Sequence, residues 1–418
     1  MGLTPIPCVE AFVKWTGIGS AALAVLILAL IGTLTSAAYL VLVMVAAAWH
    51  RRRIRHALAM TSQTAQALPP VSILKPVHGA EPRLRDNLES FFRQDYPNFE
   101  MIFGVRDSGN AAVPVVEEIC RRYPHVPSRI VFSGPPTWPN AKVFSLDKMI
   151  AEASSEYLII SDSDVHVSPD FMRNVLPPLL DSRTGLVTCL YRGVPDAGSW
   201  SLLEALGMTI EMSSGVLVAN MLEGMRFALG PVMAVRKDSL AAIGGIAATA
   251  NYYSDDFELG NRIWAAGYDV ALSHYVVEHV LIPRSFRETF GDQLRWMQST
   301  RNSRPAGHLG TGLTYAVPFG LMGWGAAASL GHPWLGLGLF AFALLNRIVQ
   351  AAAVGWTTLR DARSLRFCWL YPVRDLLGFF TWVGSYATRN FAWRGETYVF
   401  QKGGRIRPLH RAISSAAV

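Results

Sequence analysis

Apolar and polar positions along the chain fall into three textures. Residues 17–49 form an almost uninterrupted apolar run, longer than the ~20 residues that cross a bilayer, and it closes on His50-Arg51-Arg52-Arg53-Ile54-Arg55-His56. The positive-inside rule then puts the chain beyond this basic cluster on the cytoplasmic side. The run is too long for a secretory leader and lacks a small-residue cleavage site. From Val71 onward, short apolar runs alternate with amphipathic stretches: a strand at 71–74, a helix at 84–93, a strand at 100–105 ending in Arg106-Asp107, a helix at 115–122, a strand at 129–132, a helix from Lys142 through Met149, and the strand Leu158-Ile159-Ile160, which stops at Ser161. Such alternation predicts an α/β domain around a doubly wound, mostly parallel sheet.

The third texture is apolar again. Residues 200–224 are rich in Leu, Met and Val, too interrupted to span a membrane, and suited to the interface, to an acceptor groove or to a core helix pair. Residues 309–331 and 334–359 are each long enough to span and read as a hairpin broken at Gly331-His332-Pro333. A last segment, 368–387, holds Arg374-Asp375, and each such charge costs about 2.5–3.5 kcal/mol at a helix centre. It reads as a re-entrant or interfacial helix, with a full span as the alternative. The expected division is an anchor with its basic flank (1–56), a cytoplasmic catalytic domain (57–305), and a membrane hairpin, interfacial segment and basic tail (306–418).

Composition sharpens this picture. With 51% hydrophobic and 17% charged residues and a mean hydropathy of +0.24, an integral membrane protein is expected. The net charge of +7 sits beside apolar segments, which points to anionic lipid headgroups and not to nucleic acid. Cys8, Cys120, Cys189 and Cys368 are far apart and form no CxxC pair, so neither a zinc site nor a disulfide framework is indicated.

Candidate chemistry collects where strands end. Ser161-Asp162-Ser163-Asp164 puts two carboxylates one residue apart at a strand's carboxyl end, and alternate residues of extended chain point the same way. Asp162 and Asp164 could share Mg²⁺ or Mn²⁺ to neutralise a diphosphate; a solvated acidic turn is the plainer reading of the pair alone. Asp107 stands at a second strand end. Asp255 and Asp256 open a helix, as a favourable cap or as a general base facing the cleft. Residues 285–300 form a basic, aromatic amphipathic stretch carrying Arg287, Arg295 and Trp296. His274 and His279 flank a strand-like run and read as structural.

With these stretches in view, the chain resembles glycosyltransferase family 21, the ceramide glucosyltransferases and related bacterial lipid glycosyltransferases. The most specific match is VSILKPVHGAEPRLRDNLESFFRQDYPNFEMIFGVRD. The resemblance implies a GT-A-type fold and an inverting transfer from a UDP-sugar to a lipid hydroxyl. It puts Asp107 at the nucleotide base, and Pro76, Lys142, Asp162 and Gln293 with it in nucleotide-sugar binding. Asp162 and Asp164 become the metal carboxylates, Asp256 the general base, and Arg295-Trp296 the close of the Gln/Arg-x-x-Arg-Trp motif. Two positions depart from the pattern: Asp292 stands where Gln or Arg is expected, and Ser145 replaces the Asn of Asn-x-Lys-x-x-Asn-Leu.

The carboxyl-terminal pattern, PVRDLLGFFTWV and then WRGETYVFQKGGRI, looks more like hopanoid-pathway members. The expected reaction is therefore N-acetylglucosamine transfer to a bacteriohopanepolyol at a bacterial inner membrane, with glucosylceramide synthesis as the close alternative. A processive polysaccharide synthase ranks low, because Asp292 replaces the motif's Gln and membrane segments are few.

Overall fold

The computed structural model describes residues 7–61, 68–283, 285–393 and 395–409, with side chains of the first helix described over 19–56. Residues 57–67, at the start of the expected catalytic domain, and the last basic positions of the tail lie outside the residues whose side chains are described. The first helix, α1 (Pro7–Thr61), carries the apolar run as one unbroken helix. Its basic end is docked, since Arg51 donates to the hydroxyls of Thr357 and Thr358 at 2.9 Å each.

The α/β domain keeps the expected order. Strands β1 (Val71–Pro76), β2 (Phe99–Val105), β3 (Ser128–Phe132) and β4 (Tyr157–Ser161) alternate with helices α2 (Leu84–Phe92), α3 (Val113–Arg122) and α4 (Ala141–Glu152). After them come β5 (Val165–His166), β6 (Thr184–Pro195), helix α5 (Ser199–Glu223), β7 (Val232–Arg236), helix α6 (Asp255–Ala265) and β8 (Asp269–Leu281). The sheet runs β3-β2-β1-β4-β7-β6-β8-β5. β3, β2, β1 and β4 are mutually parallel, as are β6 and β8, whereas β7 runs antiparallel to both neighbours and β5 antiparallel to β8. This is the GT-A-type, mostly parallel layout, with an apolar core on each face. One face holds Leu88, Phe91, Phe103 and Phe171. The other holds Leu146, Ile160, Leu190 and Met233, and there Val43, Ala46 and Ala47 of α1 join the core.

Beyond the sheet come α7 (Phe286–Ser303), α8 (Pro305–Gly312), α9 (Val317–Ser329), α10 (Pro333–Trp356) and α11 (Tyr371–Gly384). Two expectations are corrected. Residues 200–224 are not interrupted: α5 runs unbroken through a π-helical turn at Gly207–Met212, with its glycines inside the helix. Residues 309–331 are not one span, because the helix breaks between α8 and α9 and leaves only 13 residues in α9. The break has a physical cause. Asp375 Oδ2 accepts from the backbone N–H groups of Ala316 and Val317 at 3.0 and 2.8 Å, capping α9, while its Oδ1 pairs with Arg347 at 3.1 Å.

The charges that argued against a span at 368–387 are thus satisfied inside the protein. Arg374 meets Glu211 at 3.0 Å and donates to Gln293 Oε1 at 2.7 Å. At 14 residues α11 is roughly 21 Å long, short of a bilayer's hydrocarbon core. Among the described residues, three helical stretches are long and apolar enough to cross a membrane: Gly19–His56, Ser199–Glu223 and Pro333–Trp356. The second is largely buried in the protein. A small antiparallel sheet, β9 (Asn390–Trp393), β10 (Glu396–Phe400) and β11 (Ile406–Pro408), is the last element among the described residues and packs on Tyr253.

Candidate active site

The site is built where β4 stops. β4 is buried along Leu158–Ser161, so the first residues free to face a cleft are Asp162 and Asp164. Lys142, in the first turn of α4, puts its ammonium 2.5 Å from Asp162 Oδ1 and 4.0 Å from Asp255 Oδ2. The turn is held by Asn140, whose side-chain oxygen accepts from the N–H groups of Lys142 and Val143 and whose amide donates to Tyr252 O and Asp255 Oδ1. One fully buried side chain thereby ties the start of α4 to Tyr252 and to Asp255, the first residue of α6.

Asp256 converges on the same place. A Cβ added to Gly230 would stand 3.1 Å from Asp256 Oδ2 and 3.8 Å from Asp162 Oδ2. The bare backbone just before β7 therefore leaves room for two carboxylates contributed by different elements. Burial, reinforced by the adjacent Asp255, pushes the Asp256 carboxyl up to about 6, while Lys142 pulls the other way. Asp164 is raised as well, mainly by burial, against the opposing pull of His279. Its Oδ2 lies 3.6 Å from His279 Nε2, and its Oδ1 is buried without a hydrogen-bond partner.

The remaining expected residues spread around this cluster. Pro76 ends β1 beside Gly104 of β2. Asp107, just past β2, is exposed and accepts from Gly109 N at 3.1 Å. Arg295 is held by Asp292 (2.8 Å), by the Tyr253 hydroxyl (2.6 Å) and by Ala392 O of β9 (3.4 Å). The acid at the departing motif position is therefore a partner for the motif's arginine. Trp296 packs with Tyr191 against Ala205, Met208 and Leu281. Gln293, expected with the nucleotide-sugar, instead binds Arg374 and lines a pocket between α5, α7 and α11. Ser145 faces Gly104 and Met149, a packing role.

Three neighbours of the cluster went unrecognised in the sequence. Lys75 of β1 is fully buried; its ammonium donates to Asp162 O at 2.8 Å and Ser161 Oγ at 3.0 Å and lies 3.4 Å over the Phe91 ring. A lysine in an apolar strand was the available signal. His279, read as structural, faces Asp164, while His274 pairs with Asn174 and is structural. Tyr191 stands against His279, and its phenol is raised by burial and by Asp256, Asp162 and Asp164.

The model of "Glycosyl transferase family 21" matches residues 28–406. Ceramide glucosyltransferase 3 of Caenorhabditis elegans is 24% identical over 376 residues, covering 87% of this chain and 79% of its own. Ceramide glucosyltransferase 1 of the same organism is 24% identical over 345 residues, covering 81% and 73%. Among solved structures, a mannosyltransferase from Pyrobaculum calidifontis in complex with GDP-Man and Mn²⁺ aligns at a TM-score of 0.45 and 16% identity, over 84% of this chain and 99% of that one.

Proposed function

Since the chain belongs to glycosyltransferase family 21 and is a sugar-transferring enzyme, we propose that it moves glucose from UDP-glucose, with inversion, to the hydroxyl of a ceramide-like lipid at the membrane surface. The curated relatives favour this acceptor over the bacteriohopanepolyol and N-acetylglucosamine pairing expected from the carboxyl-terminal pattern. α1 anchors the chain, with the catalytic domain on the cytoplasmic side of its basic flank.

The observation that carries the reading is the convergence of Asp162 and Asp256 on Gly230, with Lys142 beside both acidic elements. Inverting transfer needs a base for the acceptor proton and a counter-charge for the departing diphosphate. Asp256 is the base, ionised at neutral pH despite its raised carboxyl. Lys142 supplies fixed positive charge at the leaving group. Asp107 and Pro76 border the nucleotide base at the ends of β2 and β1. Arg295 orders Tyr253 next to Asp256, and Trp296 gives the acceptor a flat apolar wall.

A hard divalent cation fits the turn. Asp162 and Asp164 offer only oxygen donors, and Asp164 Oδ1 is buried with nothing bonded to it. No group of three or more protein ligands gathers there among the described residues, so these two carboxylates would hold a cation with water or the donor's phosphates supplying its other oxygens. When bound, it neutralises charge on the leaving diphosphate.

The test is an assay of the full chain in detergent, offering UDP-glucose and UDP-N-acetylglucosamine against ceramide and bacteriohopanetetrol with mass detection. Glucosylceramide is expected. A product formed only from N-acetylglucosamine and the hopanoid would overturn the acceptor and donor assignment.

A further inference from the structure

The pocket at Gln293 lies outside the carboxylate cluster and is lined by three helices. α5 contributes Trp200, Leu203 and Glu204; α7 contributes Phe286, Thr289, Phe290 and Gln293; α11 contributes Arg374, Leu377 and Thr381. Each set recurs at three- and four-residue intervals, so each helix presents one face to the pocket. Its mouth is aromatic and open: Trp200 and Phe286 are 37% and 45% exposed, with ring centroids 4.7 Å apart. Its floor is closed, with polar side chains lying just beneath an almost wholly apolar surface. Gln293 and Arg374 are 6% and 5% exposed, and Thr289, 8% exposed, has a buried hydroxyl oxygen with no hydrogen-bond partner.

The same faces continue toward the chemistry. One turn past Gln293 on α7 is Trp296, which packs on the cluster of Ala205, Met208 and Leu281; Tyr191, whose phenol feels the charges of Asp256, Asp162 and Asp164, packs on the same cluster. The α7 face that lines the pocket with Phe290 and Gln293 thus leads, one turn on, to Trp296.

We propose that this pocket holds the acceptor lipid, with its hydrocarbon chain at the aromatic mouth and its polar neck at Thr289, Gln293 and Arg374. The proposal rests on the transferase reading and adds the acceptor's place and charge class. Arg374 is matched by Glu211 at 3.0 Å, and Glu204 adds a second buried carboxyl group. No net positive charge is left for a phosphate headgroup. The floor instead mixes hydroxyl, amide and guanidinium groups, which suits an uncharged neck that both donates and accepts hydrogen bonds, such as an amide beside a hydroxyl. Apolar walls with a few convergent polar groups are the usual build of a small-molecule site.

Two measurements on the full chain test this. In the first, a ceramide with a diazirine in its acyl chain is photolysed on the protein with and without excess unlabelled ceramide, and labelled peptides are mapped. Competed label within 200–204, 286–293 or 374–381 is expected, and this readout needs no turnover. Label confined to α1 and α10 would overturn the proposal even if glucosylceramide is made. In the second, Leu203→Trp, which fills the pocket, and Thr289→Val, which removes one polar atom at nearly constant shape, are assayed on whichever lipid accepts sugar. KM for the lipid should rise at least about tenfold for Leu203→Trp and about threefold for Thr289→Val, with affinity for the UDP-sugar within about twofold of wild type as the check on folding. Phe380→Leu, on the exposed side of α11, should leave the lipid KM unchanged. An unchanged lipid KM in both pocket variants would place the acceptor elsewhere. Absence of any glycolipid alongside competed label in the pocket would sink the transferase reading and leave the binding site standing.

Discussion

The ammonium of Lys142 lies 2.5 Å from Asp162 Oδ1, joining the start of α4 to the end of β4 across the mouth of the cleft. Burial lowers this ammonium's affinity for its proton, yet Asp162 and Asp255 more than compensate, so its pKa is raised and it is a fixed cation at every working pH. Lys142→Met keeps much of the stem and removes that charge. KM for the UDP-sugar should rise at least about tenfold and kcat should fall, because a charge acting on the diphosphate in both ground and transition states has gone. Steady-state kinetics with saturating lipid reads both.

Chelation gives a second expectation. With Asp162 and Asp164 as its only protein ligands, a cation would exchange readily, so EDTA should abolish most turnover and Mg²⁺ or Mn²⁺ should restore it. Asp164→Asn should raise the concentration of metal needed for half-maximal rate. Full activity after exhaustive chelation would contradict the assignment.

As the proposed base, Asp256 should set the pH profile. Its carboxyl, raised to about 6, must be ionised to take the acceptor proton, so activity is retained above that value and lost below it. kcat/KM should fall about tenfold per pH unit on the acid side. An acid limb with a midpoint near the ordinary aspartate value of ~4 would mean that Asp256 is not the group titrating.

Lys75 separates positioning from catalysis. Replacing it with Met leaves Asp162 O and Ser161 Oγ without their donor inside the sheet, at a cost of about 1–3 kcal/mol in stability. Thermal unfolding of the detergent-solubilised protein should show a lower Tm, and the metal concentration needed for half-maximal rate should rise as the Asp162 turn loosens. A lower Tm with an unchanged metal requirement would confine Lys75 to packing.

The parts legible in the sequence were those whose signal is local. A strand ending in Asp-Ser-Asp and a helix opening on two aspartates each declare themselves within a few residues, whereas Lys142 stands out only through the family resemblance. The structure brings Asp162, Asp256 and Lys142 to one place. What stayed hidden depends on distant partners. His279 meets Asp164 because β5 pairs with β8 in a register that no local pattern fixes. The aspartate at 292 looked like a defect in a motif until Arg295 was seen beside it. Residues 200–224 read as too interrupted to span, yet their Gly207 lies in a π-helical turn where the Arg374 guanidinium approaches the backbone more closely than a side chain would allow. Asp375 read as an obstacle to burial, and it caps α9.

The central claim is that Asp256 performs the proton transfer, and its most direct measurement is the turnover of Asp256→Asn beside its affinity for the UDP-sugar. The account predicts a loss of at least about 10²-fold in kcat with donor affinity within a few-fold of wild type, since the amide keeps the shape and removes the base. Turnover within tenfold of wild type at intact donor binding would contradict it and assign the base to another group.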